Sequence, residues 1–384
     1  MKTAGKYLKV AVFTVFLSLV IGGLVLLALG TNPFRAYYNF LQGCGMAPKG
    51  KYGGGKSMLT DLSSFVDYLT PMLFAALACA VAFGTGLFNI GISGQMLAAG
   101  YVATVLVGYS DLPGVAARPL VVLIGMLTGM AVGALIGFLK YRFNINEVVS
   151  SIMLNYIIRY IVSFLIQTRH VDPVSRQSVT IHDSARLTLS GIVIGGYKYD
   201  LPIGFVLAVA AMLLVGFVRY RTDIGFARGA TGLNITAAKY AGIDVRFAVI
   251  MSMGISGLLA GLAGVTYYMG YLGSIQPGTL ADTGFDAIAV CLLGNGDPIG
   301  IFLASVIIEI IDKGSIYMSS QTGMESEIAS VITGLILLFS ACNAFFMNRA
   351  EQRKQEKQKK TVEKTENILK AETKGEGAEN GCNQ

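Results

Sequence analysis

Charge is scarce in this chain of 384 residues: Asp, Glu, Lys and Arg together make up 14%, against roughly 25% in a soluble domain. With 53% hydrophobic residues, that scarcity excludes an ordinary water-soluble globule. Histidine is scarcer still. His170 and His182 are the only two, both in one polar stretch, which leaves no material for a histidine-rich metal centre. The five cysteines (Cys44, Cys79, Cys291, Cys342, Cys382) lack paired spacing, so neither a disulfide framework nor a thiolate metal site is indicated. There is no H-E-x-x-H, no Cys/His ligand spacing and no nucleophile–base pattern in a credible context. A membrane enzyme is therefore disfavoured, and no cofactor is expected.

What is present is glycine and long apolar runs. Forty-seven glycines suit close helix packing in lipid, where small residues let backbones approach. The net charge of +7 does not call for nucleic acid, because the cations gather at the N-terminus, in a few loops and in the C-terminal tail, as a cytoplasmic bias predicts. The chain reads as an all-α polytopic membrane protein. About ten transmembrane helices are expected, some broken or short, with both termini cytoplasmic.

Taken in order, residues 1–9 form a cytoplasmic N-terminus and 10–347 the transmembrane domain. Lys2, Lys6 and Lys9 precede a first span over 10–30, too long for a signal-peptide core and followed by no close cleavage site. Residues 31–67 read as an extracytoplasmic polar loop. It contains GKYGGGKS at 50–57, which fits the P-loop pattern, but no buried strand precedes it and the match reads as chance. The apolar run 71–108 would make a helix of about 57 Å, against a hydrocarbon core of about 30 Å. It must break, and FNIGISGQ at 88–95 marks the place. Two readings stand there: a tight inter-helix turn, or an unwound segment lining a cavity.

Further spans are expected over 119–139, 146–167, 201–218 and 247–272. In the second of these, Glu147, Ser151 and Asn155 fall on one helical stripe beside Asn146. Capping with interhelical hydrogen bonding and contact with a solute both account for it. Arg159, near mid-span, needs a partner that the sequence does not identify. Residues 168–200 read as a second extracytoplasmic loop. Gly257-x-x-x-Gly261 offers a small face for helix packing. The run 285–311 is split by Gly294-Asn295-Gly296-Asp297-Pro298, which gives two short spans and keeps the basic tail inside. A last span covers 328–346. Residues 348–384 form a charged, solvated tail.

Residues 219–246, RYRTDIGFARGATGLNITAAKYAGIDVR, are polar, basic and glycine-punctuated between two apolar runs. The stripe Phe226, Ala230, Leu233, Ala237, Tyr240, with Asn234 as a second cap and Gly242 as a stop, predicts two short helices at a membrane surface. A docking element and a plain basic connector both fit.

Four segments carry a resemblance: FNIGISGQM (88–96), NEVVSSIMLNYI (146–157), GLNITAAKYAGI (232–243) with SGLLAGLAG (256–264), and GFDAIAVCLLGNGDPIG (284–300). In this order, the chain resembles the ribose/nucleoside/branched-chain amino acid permease family of bacterial ABC importers over roughly 65–345. Nucleoside, guanosine-type systems are the nearest likeness. The resemblance implies a non-enzymatic, multi-pass permease subunit of the bacterial plasma membrane. Its implied partners are membrane lipid, a separate ABC ATPase, a second permease in a heterodimer and an extracytoplasmic binding lipoprotein; no nucleic acid is expected. It implies a nucleoside path approached by Asn89, Ser93, Gln95, Asn146, Glu147, Ser151, Asn155 and Asp286. It also implies an ATPase-coupling segment using Gly225, Arg228, Gly232, Asn234, Ala237, Ala238, Tyr240 and Gly242. Simple sugars, then branched-chain amino acids, are the alternatives within the family, and an ion-coupled secondary transporter is the alternative outside it. Three departures stand out: Ser93 where the family has an acid, Arg228 displaced by one position, and Arg159 where an apolar residue is usual.

Overall fold

The computed structural model describes residues 16–50, 52, 56–194, 197–323 and a few positions between 330 and 338. The cytoplasmic N-terminus, the middle of the GKYGGGKS stretch, most of the last span and the charged tail lie outside the described residues.

The described chain is helical apart from one hairpin. In order come α1 (Phe16–Ala28), α2 (Pro33–Gly43), α3 (Met58–Phe83), α4 (Ile92–Ala103), α5 (Gly114–Phe143) and α6 (Glu147–Leu165). Then follow β1 (Thr188–Ile194), β2 (Tyr197–Pro202), α7 (Ile203–Arg221), α8 (Asp223–Leu233), α9 (Ile235–Tyr240), α10 (Val245–Thr266), α11 (Thr283–Leu293) and α12 (Pro298–Thr322). Helices α4, α6 and α10 each run on through a π-helical turn, to Gly108, His170 and Leu272. Among the described residues, five helices are long and apolar enough to cross a membrane, or six if α1 and α2, bent by 113°, count as one span.

Two expectations change here. The 31–67 stretch is not a continuous loop: Asn32 caps α2, with Pro33 at its first position, and Ser57 opens α3 through a reciprocal cap with Thr60. The 168–200 stretch is not all loop either. Thr188–Ile194 pairs antiparallel with Tyr197–Pro202, so the described fold is mostly helical rather than wholly so.

Helix α3, rich in alanine through its second half, is enclosed almost all round, whereas α5, α6 and α7 turn broad apolar faces outward, as lipid-facing helices do. The tightest contact joins α5 to α10. Gly125, Gly129, Gly133 and Gly137 recur every four residues along α5; Gly129 and Gly133 meet Gly257 and Gly261 of α10 backbone to backbone, Gly125 lies against Val265 and Gly261, and Gly137 against Val249, Ile250 and Met253. A methyl group added at Gly129 would overlap the backbone of Gly261, so only glycine permits this approach.

The apolar run 71–108 breaks before Ile92, within the expected 88–95 stretch, and the expected turn at 294–298 separates α11 from α12. Residues 84–91 lead without helix from α3 to α4, and 273–282 lead without helix from α10 to α11. The first turns of α4 and α11 abut inside the bundle. Ser93 Oγ donates to the carbonyl of Ala281 at 2.8 Å, and a Cβ at Gly284 would lie 2.6 Å from the Ser93 nitrogen. Two short apolar helices, Ile92–Gly108 and Thr283–Leu293, thus begin at a common level.

Candidate functional site

The polar residues of the first break form one buried network. Asn89 Oδ1 accepts from the Gly91 amide at 2.9 Å, while its Nδ2 donates to Gln95 Oε1 at 3.1 Å and to Ser256 Oγ at 2.9 Å. Ser256 in turn donates to the Ala78 carbonyl of α3 at 2.7 Å. From α6, Asn155 accepts from the Gly94 amide and donates to the Ile90 carbonyl, both at 2.9 Å. These side chains supply the partners that an unwound backbone in lipid needs. Asn89, Ser93, Gln95, Ser151 and Asn155 are all buried.

The rest of the α6 stripe is tied internally as well. Asn146 caps the helix through the Val148 amide at 2.8 Å, and Ser151 Oγ donates to the Glu147 carbonyl at 2.5 Å. Glu147 pairs with Lys140 of α5 at 2.8 Å. Arg159 extends the stripe by one more turn and finds its partner: Nε donates to the carbonyl of Gly278 at 2.6 Å. One face of α6 is therefore bonded to both interrupted segments, at Ile90 and at Gly278.

Asp286 stands apart from that network. It lies in the first turn of α11, half-buried, close to Asp282, Asp312 and Glu309. Around it sequence reasoning missed Glu309, Asp312 and Lys313 of α12, Tyr68 of α3, and Tyr267 and Tyr271 at the end of α10. The signal was available, since three charges between 309 and 313 interrupt an otherwise apolar run. Tyr68 donates its hydroxyl to Asp312. Lys313 Nζ donates to Ser64 Oγ at 2.8 Å. One residue beyond Tyr271, a cavity of about 460 Å³ opens between Leu272, Gly273, Arg186 and the 180–183 strand of loop.

At the opposite end of the bundle lie α8 and α9, the two short helices expected there. Thr222 caps α8, Asn234 caps α9 through the Ala237 amide at 3.0 Å, and Gly242 takes φ +81° just beyond it. Their apolar stripe faces away from the bundle: Phe226 is 72% exposed and Leu233 and Tyr240 are each 90% exposed. Ala238 is buried, and Ala237 and Gly242 are exposed. Arg228 does not share the outer face. It is 8% exposed, and its guanidinium donates to the Val81 carbonyl at 2.6 Å and to Ser252 Oγ at 3.0 Å. Burial, and secondly the charge of Arg219, lower its pKa. The carbonyl it bonds belongs to the last turn of α3, where the helix dipole is negative and favours a cation. Gly232 lies against Gly84 and Gly86, and Gly225 against the end of α7, each too close for a side chain. The segment is thus clamped to α3, α7 and α10 at four points while its apolar stripe stays open.

The turn between α11 and α12 is held at the same end. Arg219 bonds the Gly296 carbonyl, and Tyr220 donates to Asp297 at 2.7 Å.

Residues 62–341 match the family described as branched-chain amino acid transport system, permease component. The nucleoside ABC transporter permease protein NupB of Lactococcus lactis is 30% identical over 86% of this chain and 90% of its own length. The guanosine ABC transporter permease protein NupP of Bacillus subtilis is 33% identical over 87% of this chain and 93% of its own. The glucose ABC transporter permease protein TsgB13 of Haloferax volcanii is 27% identical over 87% of each. With its helices long enough to span a bilayer and a family match over most of its length, this chain belongs to the branched-chain amino acid transport system permease family of integral membrane proteins.

Proposed function

We propose that this chain is a permease subunit of an ATP-driven importer and forms part of the path for nucleosides. The observation that carries the importer reading is the α8–α9 segment. A helix pair fastened to three spans, with an apolar stripe left open and no motor of its own in a credible context, fits docking on a separate ATPase. The nucleoside reading is supported by the two relatives named for nucleoside and guanosine transport, each at or above 30% identity along most of both chains. Catalysis then belongs to the ATPase. An extracytoplasmic binding lipoprotein delivers the solute, and a second, unlike permease completes the path.

The proposed topology has ten crossings. They are α1, α3, α4 with its lead, α5, α6, α7, α10, α11 with its lead, α12 and the final apolar stretch, and both termini face the cytoplasm with α8 and α9. In this reading Asp286 lies on the path, while Asn89, Ser93, Gln95, Asn146, Glu147, Ser151 and Asn155 shape the broken span beside it. Within the coupling segment Arg228, Gly225 and Gly232 fasten, Asn234 and Gly242 set the helix ends, and Ala237 and Tyr240 present the docking face over buried Ala238.

The test is uptake of labelled guanosine, ribose and leucine by vesicles holding this chain with its co-encoded partners. ATP-dependent guanosine uptake is expected. Uptake that persists without the ATPase and follows an ion gradient overturns the importer reading.

A further inference from the structure

The unassigned polar groups converge between α3, the π-helical end of α10, α11 and α12. Tyr68, Tyr267, Tyr271, Asp286 and Asp312 are half-buried there, so they border accessible space. Glu309 lies behind them, 2% exposed, and its Oε2 is buried without a hydrogen-bond partner among the described residues. Its charged neighbours are Asp312, Asp286 and Lys313. The rings of Tyr68 and Tyr271 meet edge-on with centroids 5.1 Å apart, and Tyr267 and Tyr271 lie 6.4 Å apart. The cation facing this cluster, Lys313, is bonded to Ser64 and sits 5.7 Å from the centre of the Tyr68 ring. Glu309, Asp286 and Asp312 stand together with Asp282 beside Asp286, while Lys313 faces Glu309 and, on its other side, Asp67 and Asp61. A buried carboxyl oxygen with no donor is unfavourable unless a donor reaches it.

We propose that this cluster of half-buried tyrosines and carboxyl groups is a ligand site for a nucleoside, held by the donor edge of its base. The inference rests on the importer reading above and deepens it. Asp286 and Asp312 accept hydrogen bonds when ionised, and Glu309 offers a buried oxygen without a partner among the described residues, so the cluster favours a ligand that brings several N–H and O–H donors. A guanine-type edge offers two adjacent N–H donors, whereas an adenine-type edge alternates donor and acceptor. The tyrosine rings supply faces for a flat heterocycle, which a simple sugar lacks. A zwitterionic amino acid would bring its own carboxylate against three acids, and like charges at close range repel. The cluster therefore separates the solute classes that the family as a whole leaves open.

The test uses the assembled transporter with its partner subunits. Glu309→Gln is expected to raise the half-saturating guanosine concentration about tenfold, the effect of one charged hydrogen bond, and to narrow the preference for guanosine over adenosine. Tyr271→Ala is expected to weaken uptake while Tyr271→Phe retains it. A second measurement does not depend on either variant assembling well. In a chain whose native cysteines are replaced by alanine, Tyr267→Cys is expected to react with a charged thiol reagent, and saturating guanosine, but not ribose, is expected to slow the reaction. Wild-type half-saturation in Glu309→Gln, together with labelling indifferent to guanosine, overturns the site while the importer reading stands. A wild-type assembly that moves leucine or ribose under ATP but no nucleoside overturns both.

Discussion

Reversing the charge of Arg228 would set a carboxylate against the Val81 carbonyl and the hydroxyl of Ser252, in a pocket largely closed to water. Each buried partner left unmade costs about 1–3 kcal/mol. Arg228→Glu is expected to abolish uptake while the protein still reaches the membrane, read by transport and by membrane abundance. Normal uptake would refute the fastening role. Asn155→Ala is a second test at this scale. It strips the Gly94 amide and the Ile90 carbonyl of their partners, so the fold should lose roughly 2–6 kcal/mol and unfold in detergent at a lower temperature. An unchanged melting curve would mean that the break is held by other contacts. Sequence reasoning found Asn155 because polar residues at helical spacing stand out in an apolar run. It did not find the partner of Arg159, because Gly278 lies 119 residues away and a backbone carbonyl leaves no trace in the sequence.

At the scale of elements, local signals were read well where the chemistry is local. Asn234 as a cap, Gly242 as a stop and the Gly294–Pro298 turn each follow from residue types that favour one backbone conformation, and each marks the end of an element in the structure. Helix starts governed by tertiary enclosure were less legible. The first turns of α3 are mixed in polarity, and they are helical because Ser57 caps them and the hairpin covers them, with Thr188 Oγ1 donating to Asp67 at 2.7 Å. Tyr68 fell between that loop, which ended at 67, and the apolar run read from 71. The α5–α10 seam gives the sharpest prediction for an element. Gly129→Leu and Gly261→Ala should both prevent assembly, whereas Gly229→Ala, with open space around its Cβ position, should leave uptake intact. Equal abundance and uptake of all three variants would show that the seam tolerates separation. Gly232→Ala belongs to the same scale: its Cβ would lie 2.8 Å from the Gly84 carbonyl oxygen, so α8 should lift from α3 and transport should fall without loss of the fold.

For the whole molecule, the class was legible in composition, and the breaks at 88–95 and 294–298 in glycines and polar residues inside apolar runs, because a bilayer permits few arrangements of polar backbone. The acidic cluster was less legible. Asp286 entered through the family resemblance, whereas Glu309 and Asp312 join it only when α12 is laid against α3 and α11. Topology has its own measurement. Single cysteines placed at Thr236 and at Arg176 should be labelled from opposite sides of right-side-out vesicles, and labelling of both from one side would overturn the ten-crossing arrangement.

The glycine seam between α5 and α10 has a mechanical consequence. Backbones in direct contact cannot slide past one another without collision, so the two helices behave as one stiff rod. Helix α10 starts five residues after α9 and, through its π turn, runs on to Tyr267 and Tyr271. Its 28 residues from Val245 to Leu272 span about 42 Å. A force applied at the N-terminal end of α10, beside α9, would therefore be carried along the rod toward the tyrosines at its far end.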